Sequence, residues 1–337
     1  MSAMEFHHPA PSTLGKREAL LPGLDWIRLS LPFALDHVNC WWLHDGSEQV
    51  LIDTGVSSKH SRRIWDELLR VNGLPQKLLV THFHPDHTGL SGWFKQQGVG
   101  LISHEVEQRH SQDIYSLSDE AYAQRFHDWY IQNGLELSAT KGVWTLGNGY
   151  KQLVYAEPDL IDWQFLQHGE ELLLAGRTFR VIVGHGHAPA MLMLYCERDG
   201  FLIAADQVLP TISPNVSLMP GSKESDPLDG FLNTLTELMK LPADTLVLPS
   251  HGEPFTGLHG RVQALLDHHE QRLDLLENEL QAARQAAGLF SVLFQRELDD
   301  LQLGFALGET LAHLQCLIGR GRVNVEMHKG VDWYSQV

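Results

Sequence analysis

The sequence predicts a mixed α/β (α+β) fold, and three observations carry that expectation. Two short buried runs, Gln49-Val50-Leu51-Ile52 and Lys77-Leu78-Leu79-Val80, flank a segment from Ser61 to Val71. In that segment Ile64, Trp65, Leu68 and Leu69 recur at helical spacing. Four further strand-like runs follow, at 179–183, 191–195, 200–204 and 245–248, each with a polar cluster at one end. Beyond residue 258 the pattern changes again, to helices followed by a hairpin.

In chain order, residues 1–22 read as an irregular N-terminal arm and residues 23–258 as the main domain. Asp25-Trp26-Ile27-Arg28-Leu29 alternates as a half-buried strand does, and Val38 to Leu43 forms the next run before the turn signal Asp45-Gly46. Residues 105–165 are rich in aromatic residues (among them Tyr115, Tyr122, Phe126, Trp129 and Tyr130), mostly helical, then rich in Gly. We expect them to form an insertion or lid over the core framework. Residues 259–337 form a last unit: a helix from Arg261 to Ala287 stopped by Gly288, a second from Thr310 to Ile318, and a hairpin of 323–327 with 331–334 around Lys329-Gly330. Helices followed by a β-hairpin resemble a winged-helix module.

Composition narrows the function. With 43% hydrophobic and 20% charged residues the chain is of globular type, and its length can bury a core without staples. A net charge of −17 disfavours non-specific binding to nucleic acid or to an anionic membrane surface. Cys40, Cys196 and Cys316 are far apart and odd in number, so neither a disulfide framework nor a zinc finger is expected. No apolar run suits a signal peptide or a membrane helix, and we expect a cytoplasmic protein with no membrane partner.

The chemistry concentrates in His82-Phe83-His84-Pro85-Asp86-His87, directly after a buried strand. Three imidazoles and a carboxylate within six residues are natural ligands for zinc and its neighbours. This segment resembles the signature of the metallo-β-lactamase superfamily, and Ile52-Asp53-Thr54-Gly55 upstream is similar to that family as well. The resemblance covers residues 25 to 258 and implies an αββα sandwich with metals at one edge between two sheets. Gly184-His185-Gly186-His187-Ala188-Pro189 resembles the family's next ligand segment and implies His187 as ligand, with His185 as the competitor; Ala190 and Met191 depart from the family pattern there. Ala204-Ala205-Asp206 and Pro249-Ser250-His251-Gly252 resemble the last two.

The resemblance thus implies a metal set of His82, His84, Asp86, His87, His187, Asp206 and His251. One ion would take His82, His84 and His187, the other Asp86, His87 and His251, with Asp206 and a hydroxide bridging; Asp86 and Asp206 are the expected catalytic carboxylates. Asp53 is expected to orient a ligand or the loop backbone, or else to serve as a helix N-cap or turn residue. Two divalent ions are implied, zinc first, with iron or manganese as alternatives.

Fold does not choose the substrate. Within the family resemblance, the bridging Asp206 and the Asn39-Cys40-Trp41-Trp42 strand with Asp53-Thr54-Gly55 fit the glyoxalase II, lactonase and phosphodiesterase branches better than the lactamase branch, and the leading expectation is a small-molecule thioester or related carboxylic ester, of acyl-glutathione or acyl-CoA type. Lys151, Arg177 and Lys223 are candidate basic residues near the mouth. A nuclease or phosphodiesterase is the alternative, because the whole chain also resembles a subfamily with a winged-helix-like C-terminal domain, some members of which act on RNA. The C-terminal unit carries seven Lys/Arg against eleven Asp/Glu, a poor match to phosphate backbones, and is expected to pack on the main domain or to form a homodimer. A non-catalytic metal-binding module is the second alternative. His268-His269 reads as incidental, or as a pair capping a pocket.

Overall fold

Backbone pairing recruits even the N-terminal stretch. A computed structural model describes residues 4–11, 13–33, 35–222, 226–295 and 298–337. In it the expected irregular arm contains two edge strands, β1 (Glu5–Phe6) and β2 (Arg17–Leu21). Neither alternates cleanly in sequence, because an edge strand is held by main-chain hydrogen bonds on one side and buries little. Seven strands form the first sheet in the order β2, β3 (Leu24–Ser30), β4 (His37–His44), β5 (Gln49–Ile52), β6 (Lys77–Leu79), β7 (Gly100–Ser103), β8 (Trp163–Phe165). The pairs from β2 to β5 are antiparallel and those from β5 to β8 parallel.

Helix α1 (Lys59–Asn72) connects β5 to β6 and is capped by Ser58, whose side chain accepts from Ser61 N. Helices α2 (Pro85–Thr88) and α3 (Ser91–Gln96) connect β6 to β7. The aromatic segment is the crossover from β7 to β8. It holds α4 (Glu105–Ser116), α5 (Asp119–Gln132), α6 (Lys141–Leu146) and α7 (Gly149–Leu153), and returns to the framework as strand β8.

The second sheet runs β1, β14 (Phe255–Thr256), β13 (Leu246–Pro249), β12 (Phe201–Ala205), β11 (Met191–Cys196), β10 (Arg177–Gly184), β9 (Glu171–Leu174). Strict alternation assigns its two faces. Val181, Val183, Leu192 and Leu194 point to the first sheet and meet Trp26, Trp41, Leu43, Ile52 and Leu79. Ile182, Met193 and Tyr195, one residue out of phase, point the other way and meet α8 (Pro227–Leu238) and α9 (Leu258–Asn278). The outer face of the first sheet is covered by Trp65 and Leu68 of α1 and Phe94 of α3. Helices thus cover both outer faces of two stacked sheets. Burying each large apolar side chain contributes roughly 1.5–3 kcal/mol.

The C-terminal unit departs from its expected boundaries. Helix α9 ends at Asn278, not Ala287, because the chain turns to pair with the final hairpin: Arg284 and Tyr334 exchange both main-chain hydrogen bonds. After the short α10 (Phe290–Leu293), helix α11 spans Asp300–Gly319, well before Thr310. Its start is a capping box of Asp299 with Gln302, while Gly304 and Gly308 dilute the apolar stripe that would have marked the first half. Strands β15 (Val323–His328) and β16 (Val331–Gln336) form the expected hairpin. Among the described residues no helix is long and apolar enough to cross a membrane. All three cysteines are buried and free.

Candidate metal centre

Strand direction brings the polar clusters to one edge. Strands β5 and β6 are parallel, and β10, β12 and β13 share one direction because β11 is antiparallel to both β10 and β12. The loops that follow these five strands carry Asp53, His82 to His87, His187, Asp206 and His251. The two sheets are tied where those loops meet: Leu192 N donates to Thr81 O at 2.9 Å and Asn39 N to Ser250 O at 2.7 Å.

All seven expected ligands converge. Donor atoms of His82, His84 and His187 lie within 4.8 Å of one another, and so do those of Asp86, His87 and His251; His82, His87 and Asp206 form a third such group. Asp206 stands between the first two sets. Its Oδ2 is 3.3 Å from His187 Nε2 and 3.4 Å from His251 Nε2, and its Oδ1 is 3.7 Å from His87 Nε2. Asp86 Oδ2 is 3.6 Å from His87 Nε2 and 3.5 Å from His251 Nε2. His82, His87, Asp206 and His251 are buried, whereas His84, Asp86 and His187 are half-buried on the open side.

Three of the imidazoles are aimed by an acceptor behind the ring. His87 Nδ1 donates to Asp53 Oδ2 at 2.8 Å, His187 Nδ1 to Asn215 O at 2.8 Å, and His251 Nδ1 to His37 O at 2.6 Å. A ring whose Nδ1–H is so engaged turns a bare Nε2 lone pair forward. The Nε2 atoms of His87, His187 and His251, and Oδ1 of Asp206, are buried and have no hydrogen-bond partner among the described residues. Each such atom costs about 1–3 kcal/mol unless something else satisfies it. A cation-binding role fits this donor set.

Electrostatics sort the rings into two kinds. Burial and the neighbouring imidazoles of His87, His84 and His187 hold His82 well below the ordinary histidine range, and burial with His187 and His87 does the same to His84. Both rings are therefore neutral at pH 7. Burial also pulls down on His87 and His251, but the carboxylates of Asp86, Asp53 and Asp206 outweigh it at His87, and those of Asp206 and Asp86 at His251, so both are raised. Burial pushes the Asp206 carboxyl up, and the His251 and His87 imidazoles more than reverse that, holding it well below the usual range. The centre is thus an acidic pocket suited to positive charge.

Asp53 accepts from Thr81 N at 2.8 Å and Thr81 Oγ1 at 2.9 Å in addition to His87. Ser58, not Asp53, caps α1. Both Asp53 (φ 61°) and Ala205 (φ 46°), the residue before Asp206, adopt left-handed backbone, which costs about 1–3 kcal/mol each and clusters at functional sites. Gly186 (φ 102°) is obligatory: a Cβ there would meet Phe231 Cβ and Pro227 O at 2.4 Å. That turn sends His187 inward and leaves His185 exposed, its Nδ1 2.7 Å from Pro189 O.

Four supporting residues escaped the sequence reading. Glu107 of α4 is buried and accepts from Phe83 N (2.9 Å) and Ala190 N, bracing both ligand loops at once. Tyr150 of α7 donates to Phe83 O at 2.8 Å. The aromatic crossover is therefore a brace for the ligand loops. Asn215 and His37 act on the ligands through main-chain carbonyls, which leave no side-chain signal. Of the candidate basic residues, one lies at the opposite end of its strand. Arg177 starts β10, at the far end from Gly184, and is held by Asp199 and the Pro22 carbonyl. Lys151 sits 5.8 Å over the Tyr115 ring, and Lys223 lies outside the described residues.

Comparison with known proteins identifies the fold and the family. Residues 34–251 match the model of the metallo-beta-lactamase superfamily, and residues 273–337 that of a metallo-beta-lactamase-like C-terminal domain. The crystal structure of a beta-lactamase domain protein from Burkholderia ambifaria superposes with a TM-score of 0.89 at 35% identity, over 99% of this chain and 98% of that one. A probable metallo-hydrolase of Bacillus subtilis, YqjP, is 26% identical over 86% of this chain and 91% of its own length. A Bos taurus acyl-coenzyme A thioesterase is 25% identical over 76% of this chain and 84% of its own length.

Proposed function

The chain belongs to the metallo-β-lactamase superfamily, and on that premise we propose that it is a two-metal hydrolase of a thioester or related carboxylic ester, of acyl-CoA or acyl-glutathione type. The carrying observation is the set of buried, partnerless Nε2 and Oδ1 atoms facing one another across Asp206. His82, His84 and His187 would hold one divalent ion, and Asp86, His87 and His251 the other, with Asp206 shared. Such ions, zinc first among them, make hydroxide available at neutral pH and offset the charge that grows on an attacked carbonyl oxygen.

The chain's own residues supply the rest. Asp53, Asn215 and His37 fix the tautomer and aim of His87, His187 and His251, so that little reorganisation is needed during reaction. Asp86, half-buried on the open side, would take the proton of the attacking water and return it to the leaving thiolate. The thioester preference draws support from the resemblance to the bovine acyl-CoA thioesterase. The acidic balance of the C-terminal unit, seven Lys/Arg against eleven Asp/Glu, weighs against a nucleic-acid substrate.

The test is steady-state hydrolysis by the metal-loaded protein of acyl-CoAs and S-acyl-glutathiones, read as thiol release, beside a phosphodiester and single-stranded RNA. Thiol release that is lost in Asp206→Ala supports the proposal. Cleavage of RNA or the phosphodiester with silent thioesters would replace it.

A further inference from the structure

The turn that carries His251 is gripped by β3 and β4 of the opposite sheet. Asn39, fully buried, donates from Nδ2 to Pro249 O and to Gly252 O, both at 2.8 Å, and so brackets Ser250 and His251. Arg28, directly opposite Asn39 on β3, donates from Nη2 to Gly252 O at 2.6 Å. His37 Nδ1 donates to Asp36 Oδ1 at 2.6 Å, which leaves its Nε2 to accept from Gly252 N at 2.8 Å. The His37 carbonyl accepts from His251 Nδ1. Gly252 is itself fixed, at φ 83°, with Pro210 Cγ 2.5 Å from where a Cβ would stand.

Chemistry leaves the Asn39 amide one orientation. Its Oδ1 meets Trp26 Nε1 at 2.8 Å and Arg28 Nε at 3.1 Å, and indole and guanidinium nitrogens only donate. Nδ2 must therefore face the two carbonyls of the turn. The Arg28 guanidinium lies over the Trp26 ring at 4.8 Å, with Glu253 Oε1 3.7 Å from its Nη1. Both Nδ2 hydrogens go to the turn, so this network serves the ligand loop and not the strand ladder. A buried polar network that is fully satisfied specifies one geometry, here that of the backbone on either side of a metal-facing imidazole.

We propose that Asn39 and Arg28 are positioning residues for His251, setting how tightly the ion that Asp86, His87 and His251 would share is held. This rests on the two-metal reading above. It extends the support of that ion from the groups behind each ring to two side chains that touch no ligand ring.

The experiment measures zinc affinity by competition with a chromogenic chelator, beside melting temperature, for full-length wild type, Asn39→Asp, Arg28→Met and Arg28→Lys. Asn39→Asp keeps the shape and turns an oxygen toward the two carbonyls. Arg28→Met keeps the apolar stem, removes a buried charge and leaves Glu253 to solvent, so it tests the proposal even where Asn39→Asp does not fold. Arg28→Lys returns a donor to Gly252 O. One of the two zinc-binding steps should weaken, by about tenfold in Arg28→Met and by more in Asn39→Asp, with the other step unchanged and Arg28→Lys closer to wild type. His313→Gln, a buried change in the C-terminal unit, controls for lost stability alone and should keep both steps. A wild type that binds a single zinc defeats the two-metal reading, and the positioning role then stands only if Arg28→Met weakens that ion. Unchanged zinc affinity in Arg28→Met, equal weakening of both steps, or a loss that Arg28→Lys does not recover would overturn the proposal.

Discussion

His87 and His269 are both fully buried, each beside other imidazoles, yet they are opposite kinds of histidine. In the C-terminal unit every ring nitrogen of the pair His269 and His313 is satisfied. His313 Nδ1 donates to Glu309 O at 2.8 Å, which leaves its Nε2 to accept from His269 Nδ1 at 3.2 Å, and His269 Nε2 then accepts from Ser213 Oγ at 3.3 Å. Burial, with His313, His268 and Arg272 nearby, lowers His269 to about 2; burial, with Arg272 and His268, lowers His313 to about 3. At the sheet edge the Nε2 atoms of His87, His187 and His251 have no such partners and carboxylates surround them. Clustered buried histidine is therefore not by itself a metal site. A buried ring nitrogen without a hydrogen-bond partner, facing a carboxylate, is the distinguishing feature.

The largest effect should come from moving along a single loop across that divide. His187→Ala removes an inward donor and should abolish turnover while the far-UV circular dichroism and melting profile stay near wild type. His185→Ala, two residues away and exposed, should leave kcat/KM within a few-fold, roughly the range of an ordinary surface change. An inactive His185→Ala with an active His187→Ala would reverse the assignment. A smaller loss is expected one shell out. Asp53→Ala strips the acceptor behind His87 and should lower metal affinity or activity by about 10- to 100-fold, and Asp53→Asn less. Metal competition with a chromogenic chelator reads this directly, and an unchanged affinity would demote Asp53 to a loop brace.

The mildest contrast is in pH. Because the folded pKa values of His269 and His313 lie far below the unfolded value of about 6.5, the unfolded chain takes up protons that the native one refuses. Their stabilising effect is complete above pH 6.5 and is lost as pH falls toward the folded values. Each should remove about 1.4 kcal/mol per pH unit. Urea unfolding at pH 7 and pH 5.5 should show this loss, and His313→Gln should flatten the slope without changing metal content. A wild-type stability independent of pH over that range would contradict it.

Much of this was legible in the sequence because strand alternation and strand-end polar residues are local signals. The runs at 179–183 and 191–195 read as strands and the cluster from His82 to His87 as a reactive loop, while the sandwich and its metal edge were implied by the family resemblance. What stayed hidden depended on partners distant in sequence. Arg17 to Leu21 becomes a strand only by pairing with β3, and α9 stops at Asn278 only because Tyr334 waits for Arg284. Glu107 looked like any acid on an amphipathic helix until Phe83 and Ala190 were brought to it. Gly186, by contrast, could have been read as the device that separates His185 from His187, since only glycine tolerates φ near 100°.

The most direct test of the central claim is metal stoichiometry. The purified protein would be stripped with chelator, reconstituted with zinc, desalted and assayed for bound metal per chain by elemental analysis, beside Asp206→Ala and His251→Ala. We predict two ions per chain in the wild type and a marked loss in both variants, with folding retained. Fewer than two ions in the wild type, or two retained in both variants, would contradict a dinuclear centre built from this edge of the sandwich.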